Sequence, residues 1–243
     1  MAKVVLHQPP RLWGLPNPSP FCVKVETWLR LAKVDYVSTH ANMLKAPRGK
    51  VPWIVDDGTL VSDSEAIINH LEASLDDPLG EASLAPDLRA QHHAVRRMLE
   101  NGTYWLSFYE RWVSDEHWAT TRAAFFDPLG FPMGTLVGAM IRRRVARDAH
   151  GQGVSRYEAS EREAMGISDW EAVEAVLGDA PFFGGAAPRR IDCAVYGFVC
   201  QALWAPFETS MARYVRGRPR LVAYGERMRA LAWTEIPKAV RVP

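Results

Sequence analysis

Strand-forming sequence is confined to the first 75 of the 243 residues. Alternating apolar and β-branched residues, with the turn signal Asp57-Gly58, are typical of short strands and a hairpin. The predicted strands cover residues 3–7, 35–39 and 53–61, and the predicted helices between and after them cover 21–33 and 62–74. The order β-α-β-loop-β-β-α predicts a small α/β domain at the start of the chain.

The remainder of the chain carries helical patterns only. A polar stretch with Asp76-Asp77-Pro78 and Gly80 is typical of a linker. Apolar residues at helical spacing then predict helices over 87–115, 134–148, 157–177, 190–203 and 218–231. The helix at 190–203 is almost entirely small and apolar, which predicts a central, buried position. We therefore expect an α/β domain over 1–75, a linker over 76–86 and an all-α domain over 87–243.

Composition narrows the function classes. A net charge of +1 provides no electrostatic case for nucleic acid or an anionic membrane as the main partner. The short basic run Arg142-Arg143-Arg144, with Arg147, is interpreted as a solvated helix face. Three cysteines cannot build a disulfide framework and suit a reducing compartment. No segment resembles a secretion signal or a membrane span, so we expect a cytoplasmic protein without membrane contact.

The segment Ser19-Pro20-Phe21-Cys22 lies at the start of the first predicted helix. The first turn of a helix has free N–H groups and a partial positive charge, which stabilise a thiolate or an alkoxide placed there. Proline suits the first helical position, and Ser19 before it suits the N-cap. The segment is therefore either an ordinary helix start or a site that holds a reactive sulfur, and local sequence leaves both interpretations open.

Two further segments can likewise be interpreted either as purely structural features or as parts of a ligand site. Val51-Pro52 precedes a strand and suits a cis peptide bond, which would leave the Val51 main chain open to a ligand. The alternative is a trans proline that only begins the strand. Asp63-Ser64 begins a helix, where Ser64 is suited to a carboxylate and Asp63 to an ammonium group. The alternative there is plain capping.

Together these segments resemble the thioredoxin-like domain of glutathione transferases. The matching residues are Ser19-Pro20-Phe21-Cys22, Lys50-Val51-Pro52 and Asp63-Ser64-Glu65-Ala66-Ile67-Ile68. The resemblance is sharper toward the metaxin-like and failed-axon-connections-like branch, through S-P-F-C-V-K-V-E-T-W-L-R, A-P-R-G-K-V-P-W-I and R-M-L-E-N-G-T-Y-W. It implies an N-terminal thioredoxin-like domain followed by a C-terminal all-helical glutathione-transferase domain.

The resemblance also implies roles for single residues. Ser19 occupies the position of the residue that activates the glutathione thiol. Lys50 would reach the glycyl carboxylate of glutathione, and Val51-Pro52 would pair with its cysteinyl backbone. Asp63 and Ser64 would hold its γ-glutamyl end. Cys22 matches the second cysteine of a glutaredoxin-like pair whose first cysteine is absent here.

The second domain is expected to form a wall for an electrophile. The implied pocket residues are Trp13, Phe21, Tyr104 and Phe108, whereas Trp105, Phe108, Tyr109 and Trp112 form one helical stripe that more often packs against neighbouring helices. His92-His93 diverge by about 100° on a helix and have no third ligand, so no metal site is expected. The family's capping Ser or Thr before Asp192 is replaced by Arg189, and this departure weakens the match in the second domain.

The resulting hypothesis is a glutathione transferase, a homodimer by family resemblance, that attacks a small hydrophobic electrophile with a thiolate held at Ser19. One alternative is a non-catalytic binding or scaffold protein of metaxin-like type. The other is a glutathione-dependent thiol reductase that acts through Cys22.

Overall fold

A computed structural model describes residues 4–236 of the chain. It begins with a four-stranded sheet in the order β2-β1-β3-β4. The strands are β1 (Val4–Gln8), β2 (Tyr36–His40), β3 (Trp53–Asp56) and β4 (Thr59–Ser62), with α1 (Pro20–Leu31) between β1 and β2 and α2 (Ser64–Glu72) after β4. β2 pairs with β1 in parallel, and the other two pairings are antiparallel. The predicted α/β fold of this part is confirmed.

The register of the sheet brings three loop segments to the same end of the sheet. His7 pairs with Trp53, and Trp53 pairs with Ser62. The end of β1, the start of β3 and the end of β4 therefore lie side by side. Three segments extend from that end of the sheet: the loop that leads to Ser19, the Val51-Pro52 segment and the helix start at Asp63-Ser64.

Helices form the remainder of the described chain. They are α3 (Pro86–Met98), a π-helical turn (Leu99–Thr103), α4 (Tyr104–Trp112), α5 (Asp115–Phe125), α6 (Met133–Gln152), α7 (Ala159–Leu177), α8 (Arg190–Trp204), α9 (Ser210–Arg216) and α10 (Pro219–Ala232). Short 3-10 turns occur at Met43–Lys45, Pro47–Gly49, Glu81–Ser83, Asp127–Leu129 and Val154–Arg156. The single helix predicted over 87–115 is instead α3 and α4 joined by the π turn, and α5 and α9 escaped prediction.

Both missed helices lack the pattern that predicts a helix. α5 buries only His117 and Thr121, neither of which is a hydrophobic residue, so no apolar stripe marks it. α9 has only seven residues, which is too short for a repeated period. The central position predicted for the helix at 190–203 is confirmed, because every side chain from Ile191 to Cys200 is buried.

Two of the three hydrophobic clusters in the described residues interlock at the junction of the sheet and the helices. One core lies between the sheet and α1–α2 and contains Val4, Leu6, Val25, Trp28, Leu29, Ile54, Ile67, Ile68, Leu71, Leu79 and Cys193. The other lies among the helices around Trp170, Tyr196 and Tyr224. Cys193 of α8 belongs to the first core, and Val23 of α1 belongs to the second. The boundaries 1–75, 76–86 and 87–243 stay a prediction, and residues 1–3 and 237–243 lie outside the described chain.

Within residues 4–236, no helix combines the length and the apolar character needed to cross a membrane. The same residues contain no group of three or more side chains suited to holding a metal ion.

Candidate functional site: the helix start at Ser19

Ser19 is the N-cap of α1, and Pro20 is the first residue of the helix. Its main chain is extended, with φ −100° and ψ 123°, as the N-cap position requires. The hydroxyl oxygen accepts a long hydrogen bond from the Cys22 N–H, at 3.5 Å. Because this bond uses only a lone pair, the hydroxyl hydrogen stays available for a second partner. Capping and a functional role are therefore compatible at this position.

The turn before Ser19 is held by a buried asparagine. Asn17 is fully buried, and its side-chain Oδ1 accepts from the Ser19 N–H at 3.0 Å. Its Nδ2 donates to the Pro9 carbonyl at 2.9 Å. One side chain therefore connects both ends of the loop between β1 and α1.

The helical half of the molecule fixes the same turn from the other side. Arg111 of α4 donates to the Pro18 carbonyl at 2.6 Å and to the side chain of Gln201 at 2.9 Å. Gln201 of α8 donates to the Asn17 carbonyl at 2.7 Å. Burial lowers the pKa of Arg111 to about 10, so the guanidinium stays charged at neutral pH. Asn17, Arg111 and Gln201 are not among the site residues predicted from the sequence.

The thiol of Cys22 is enclosed by the protein. The side chain is fully buried, and burial is the main cause that raises its pKa well above the usual value. A thiol reacts as a thiolate, which this environment disfavours. The position therefore suits a packing residue, as the first turn of a buried helix would predict.

The Val51–Pro52 peptide bond is cis, which confirms that expectation. Pro52 is buried, while Val51 is part-exposed just before β3. Within residues 4–236, neither the N–H nor the C=O of Val51 makes a hydrogen bond. Lys50 beside it is exposed and has no ion-pair partner among those residues. The main chain and the ammonium group are thus both available to a ligand.

Asp63 and Ser64 begin α2 in different ways. Asp63 adopts a positive φ of 87°, and its carboxylate accepts from the N–H groups of Glu65 and Ala66 at 3.0 and 3.4 Å. It is an N-cap, so plain capping accounts for its geometry. Ser64 is 5% exposed, and its hydroxyl accepts from Lys24 Nζ at 3.4 Å.

Lys24 is a buried cation beneath the start of α2. Its ammonium group is 2.6 Å from Glu65 and 2.7 Å from Glu100, which lies in the π turn. It therefore joins α1, α2 and the first long helical segment of the second half. Nothing in the local sequence distinguishes Lys24 from an exposed lysine, and sequence reasoning did not single it out.

Arginines from the helical half complete this ionic cluster. Arg190 of α8 is 2.6 Å from Glu65 and also contacts Glu72, and Arg96 of α3 is 2.7 Å from Glu100. Burial alone would raise the pKa of Glu65, but the cations around it lower that pKa below the usual value. The three cations Lys24, Arg96 and Arg190 are matched by the carboxylates of Glu65, Glu72 and Glu100. The feature of the α2 start that suits a carboxylate ligand is therefore the helix N-terminus itself.

Among the predicted pocket residues, Trp13 lies apart from the group formed by Phe21, Tyr104 and Phe108. Trp13 packs edge-on between Phe125 and Phe207, with ring centroids 5.7 and 5.1 Å away. Phe21 packs edge-on against Tyr104 at 4.9 Å, and Tyr104 stacks on Phe108 at 5.3 Å. Burial is the main cause that raises the pKa of Tyr104 to about 12.

A cavity of about 70 Å³ lies behind this turn, between α4, α7, α8 and α9. Tyr104, Phe108, Arg111 and Pro20 are among its lining residues, whereas Ser19, Trp13 and Phe21 are not. The structure therefore brings two of the four predicted pocket residues to a cavity. The other two, Trp13 and Phe21, are part-exposed and pack against aromatic neighbours. The stripe residues Trp105 and Tyr109 pack against the helical core, as expected of packing residues.

Family models match both halves of the chain. The model of the glutathione S-transferase N-terminal domain matches residues 20–117, and the model of the C-terminal domain of the same family matches residues 166–228. The segment between them contains most of α5 and all of α6.

Named relatives agree with these matches. The chain is 30% identical to an isoprene-epoxide glutathione S-transferase of Rhodococcus, over 89% of this chain and 94% of that protein. It is also 30% identical to Failed axon connections of Drosophila melanogaster, over 82% of this chain and 50% of that protein. Metaxin-3 of Xenopus laevis is 27% identical over 77% of this chain and 62% of its own length.

Solved structures share the fold at low sequence identity. A glutathione transferase from Phanerochaete chrysosporium superposes with a TM-score of 0.65 at 13% identity, covering 97% of this chain and 100% of that one. The apo form of a glutathione S-transferase III gives a TM-score of 0.59 at 17% identity, with both chains fully covered. By its domain matches, its relatives and its fold, the chain belongs to the glutathione S-transferase family.

Proposed function

We propose that this protein is a glutathione transferase in which the helix start at Ser19 lowers the pKa of the glutathione thiol. The observation that carries the proposal is the availability of the Ser19 hydroxyl hydrogen at the N-terminus of α1. A hydrogen bond from that hydroxyl and the helix dipole both stabilise a thiolate more than a thiol. The thiolate then attacks an electrophile, and positioning supplies the rest of the rate enhancement.

The neighbouring groups fit the remainder of a γ-glutamyl tripeptide. The unpaired main chain of Val51 supplies one donor and one acceptor for a peptide backbone, in the manner of an added strand. The N-terminus of α2, with the Ser64 hydroxyl, suits the α-carboxylate of the γ-glutamyl end. Lys50 suits the glycyl carboxylate, and the Asp63 carboxylate suits the ammonium group in addition to capping α2.

The electrophile is expected to be small and largely apolar. Tyr104 and Phe108 line the cavity behind Pro20, and its volume of about 70 Å³ admits only a few heavy atoms. The Rhodococcus relative is named for an epoxide of isoprene, which is a molecule of this kind. A small alkene epoxide is therefore the first substrate to test. A homodimer and a cytoplasmic location stay predictions.

The binding step is tested by calorimetric titration with glutathione. We expect saturable binding to the wild type and about tenfold weaker binding to Ser64→Ala, which loses one hydrogen bond near a charged group. Ser83→Ala, an exposed serine elsewhere in the chain, is the matched control and should bind as the wild type does. Absence of binding to the wild type at millimolar glutathione would contradict the proposal.

The chemical step is tested with Ser19→Ala. The variant should bind glutathione within a few-fold of the wild type, while the pKa of the bound thiol rises by about one to two units. Ultraviolet absorbance of the thiolate measures that pKa. Turnover of a small epoxide at neutral pH should fall by about 10- to 100-fold. An unchanged thiol pKa in Ser19→Ala would assign the acidification to the helix alone.

A second function, ligand binding without turnover, is favoured by the surroundings of Ser19. Trp13 and Phe21 are packed among aromatic neighbours, and Ser19 does not line the cavity. Glutathione binding without conversion of any small electrophile would support that function. A reductase that uses Cys22 is disfavoured by the burial of the thiol, and Cys22→Ala should leave any activity within a few-fold of the wild type.

A further inference from the structure

An apolar surface protrudes between α5 and the first half of α6. We call it the apolar tip and define it by Leu129, Phe131, Met133, Leu136 and Met140. Their exposed fractions are 53%, 91%, 56%, 65% and 60%. Isolated exposed apolar residues are ordinary, but five of them within twelve positions, three on one face of α6, indicate an interaction surface.

Along α6 from its N-terminus to its C-terminus, the exposed face changes from apolar to basic. At 100° per residue, Met133, Leu136 and Met140 fall on the same arc, about 100° wide, as Arg143, Arg144 and Arg147. Gly134, Gly138, Val145 and Ala149 are buried on the opposite side and attach the helix to the protein. The apolar residues occupy the N-terminal half of the exposed face, and the arginines occupy the C-terminal half.

These three arginines are exposed and available. Within residues 4–236, the side chains of Arg143, Arg144 and Arg147 make no hydrogen bond, ion pair or ring contact. Arg142 differs, because it donates to the Val113 carbonyl and to Asp115 and stacks on Trp118. Asp148, which is also exposed, reduces the local charge by one. The face therefore keeps a net positive charge although the whole chain is almost neutral.

We propose that the apolar tip and this arginine row attach the protein to the surface of an anionic lipid bilayer. A helix rises 1.5 Å per residue, so Arg143 and Arg147 lie about 5 and 10 Å beyond Met140. Interfacial helices bury their apolar residues about 5–10 Å into the boundary between headgroups and acyl chains. With α6 along the bilayer normal and the apolar tip inserted to that depth, the arginines lie at the level of the lipid phosphates.

The charge of this face favours an anionic bilayer over a second copy of the chain as its partner. A parallel pairing of two copies through this face would place arginine against arginine. An antiparallel pairing would place the arginines of each copy against the apolar tip of the other, which leaves both unsatisfied. An anionic bilayer is complementary to both halves of the face at once.

The test is flotation of the full-length protein with vesicles. One set is pure phosphatidylcholine, and the other has about one third of it replaced by phosphatidylglycerol. We expect binding to the anionic set, weakened by salt, and little binding to the neutral set. Neutralising an arginine should weaken binding about fivefold, so Arg144→Gln with Arg147→Gln should nearly abolish it. Phe131→Ser with Leu136→Ser should weaken binding about tenfold or more.

Matched controls distinguish binding through this surface from nonspecific adsorption of the protein to vesicles. Leu44→Ser removes a side chain that is 98% exposed in the first half of the chain, and Arg89→Gln with Arg97→Gln removes two exposed charges from α3. Both should bind vesicles as the wild type does. Equal binding to the two vesicle sets, absence of binding, or equal losses in the controls would overturn the proposal. It would also be overturned if light scattering showed that Phe131→Ser with Leu136→Ser dissociates an oligomer, since the face would then belong to a second copy.

Discussion

Lys24 shows how one side chain can join parts of the molecule that are distant in sequence. Its ammonium group lies within 2.7 Å of two carboxylates, Glu65 in α2 and Glu100 in the π turn. A buried cation is stable only when it is paired, and the two carboxylates in turn depend on the arginines around them. The cluster is therefore a set of mutually dependent charges at the boundary between the two cores.

Lys24→Met should destabilise the protein by about 2–4 kcal/mol, because it leaves buried carboxylate charge with fewer partners. Urea denaturation measures this change in the free energy of unfolding. The control is Lys50→Met, which removes an exposed lysine and should stay within about 0.5 kcal/mol of the wild type. Equal stabilities of the two variants would contradict the buried pairing.

Individual site residues were predictable where a local pattern marks them. Ser19 precedes a proline at a helix start, and Val51 precedes a proline at a strand start, so short-range chemistry identified both. Arg111 and Gln201 act on Pro18 and Asn17 from 93 and 184 positions away. Contacts of that range follow from the packing of helices and have no local signature.

The start of α8 shows how a helix can begin without the usual N-cap side chain. The Asp192 carboxylate accepts from the Arg189 N–H at 2.7 Å and from the Phe183 N–H at 3.0 Å. The backbone donors around the turn therefore satisfy this buried acid although Arg189 stands at the N-cap position. Burial is the largest cause that raises the pKa of Asp192, to about 6, and those hydrogen bonds oppose the rise.

The pH dependence of stability should report on Asp192. A raised pKa means that the folded protein holds the proton more tightly than the unfolded chain does. The stability that this group contributes is then complete below about pH 4 and is lost as the pH rises through about 6. Between those limits the wild type should lose roughly 2–3 kcal/mol relative to Asp192→Asn.

Denaturation of both proteins across that pH range measures the difference. Asp148→Asn, at an exposed position on α6, is the control and should follow the wild type at every pH. A constant difference between the wild type and Asp192→Asn would show that the carboxyl group has the same pKa in the folded and unfolded states.

At the scale of elements, periodicity predicted the strands and the helices with apolar stripes. α5 and the π turn were missed for related reasons. α5 has no apolar stripe, and a π turn adds a residue without breaking the apolar pattern on either side. An irregular turn of this kind cannot be predicted from periodicity alone. It is recognised in the structure, where Glu100 of the π turn pairs with Lys24 of α1.

The whole molecule should unfold as one unit. Val23 of α1 lies in the helical core and Cys193 of α8 lies in the sheet core, so neither core is complete without the other half. In urea, hydrogen exchange of β3 and of α9 should therefore increase over the same concentration range.

Val23→Ala tests this coupling directly. It should cost about 1–3 kcal/mol and move both transitions to lower urea by the same amount, although Val23 belongs to the first half of the chain. Two separate transitions, or a shift confined to one core, would contradict the interlocked arrangement.

The support that Arg111 and Gln201 give to the loop before Ser19 has a consequence for domain exchange. A chimera that joins the first half of this chain to the helical half of another transferase would replace both residues that grip the Pro18 and Asn17 carbonyls. Ser19 of the thioredoxin-like half would then follow a loop that has lost the hydrogen bonds from the helical half. Chemistry that belongs by sequence to one half is inherited, in three dimensions, from both.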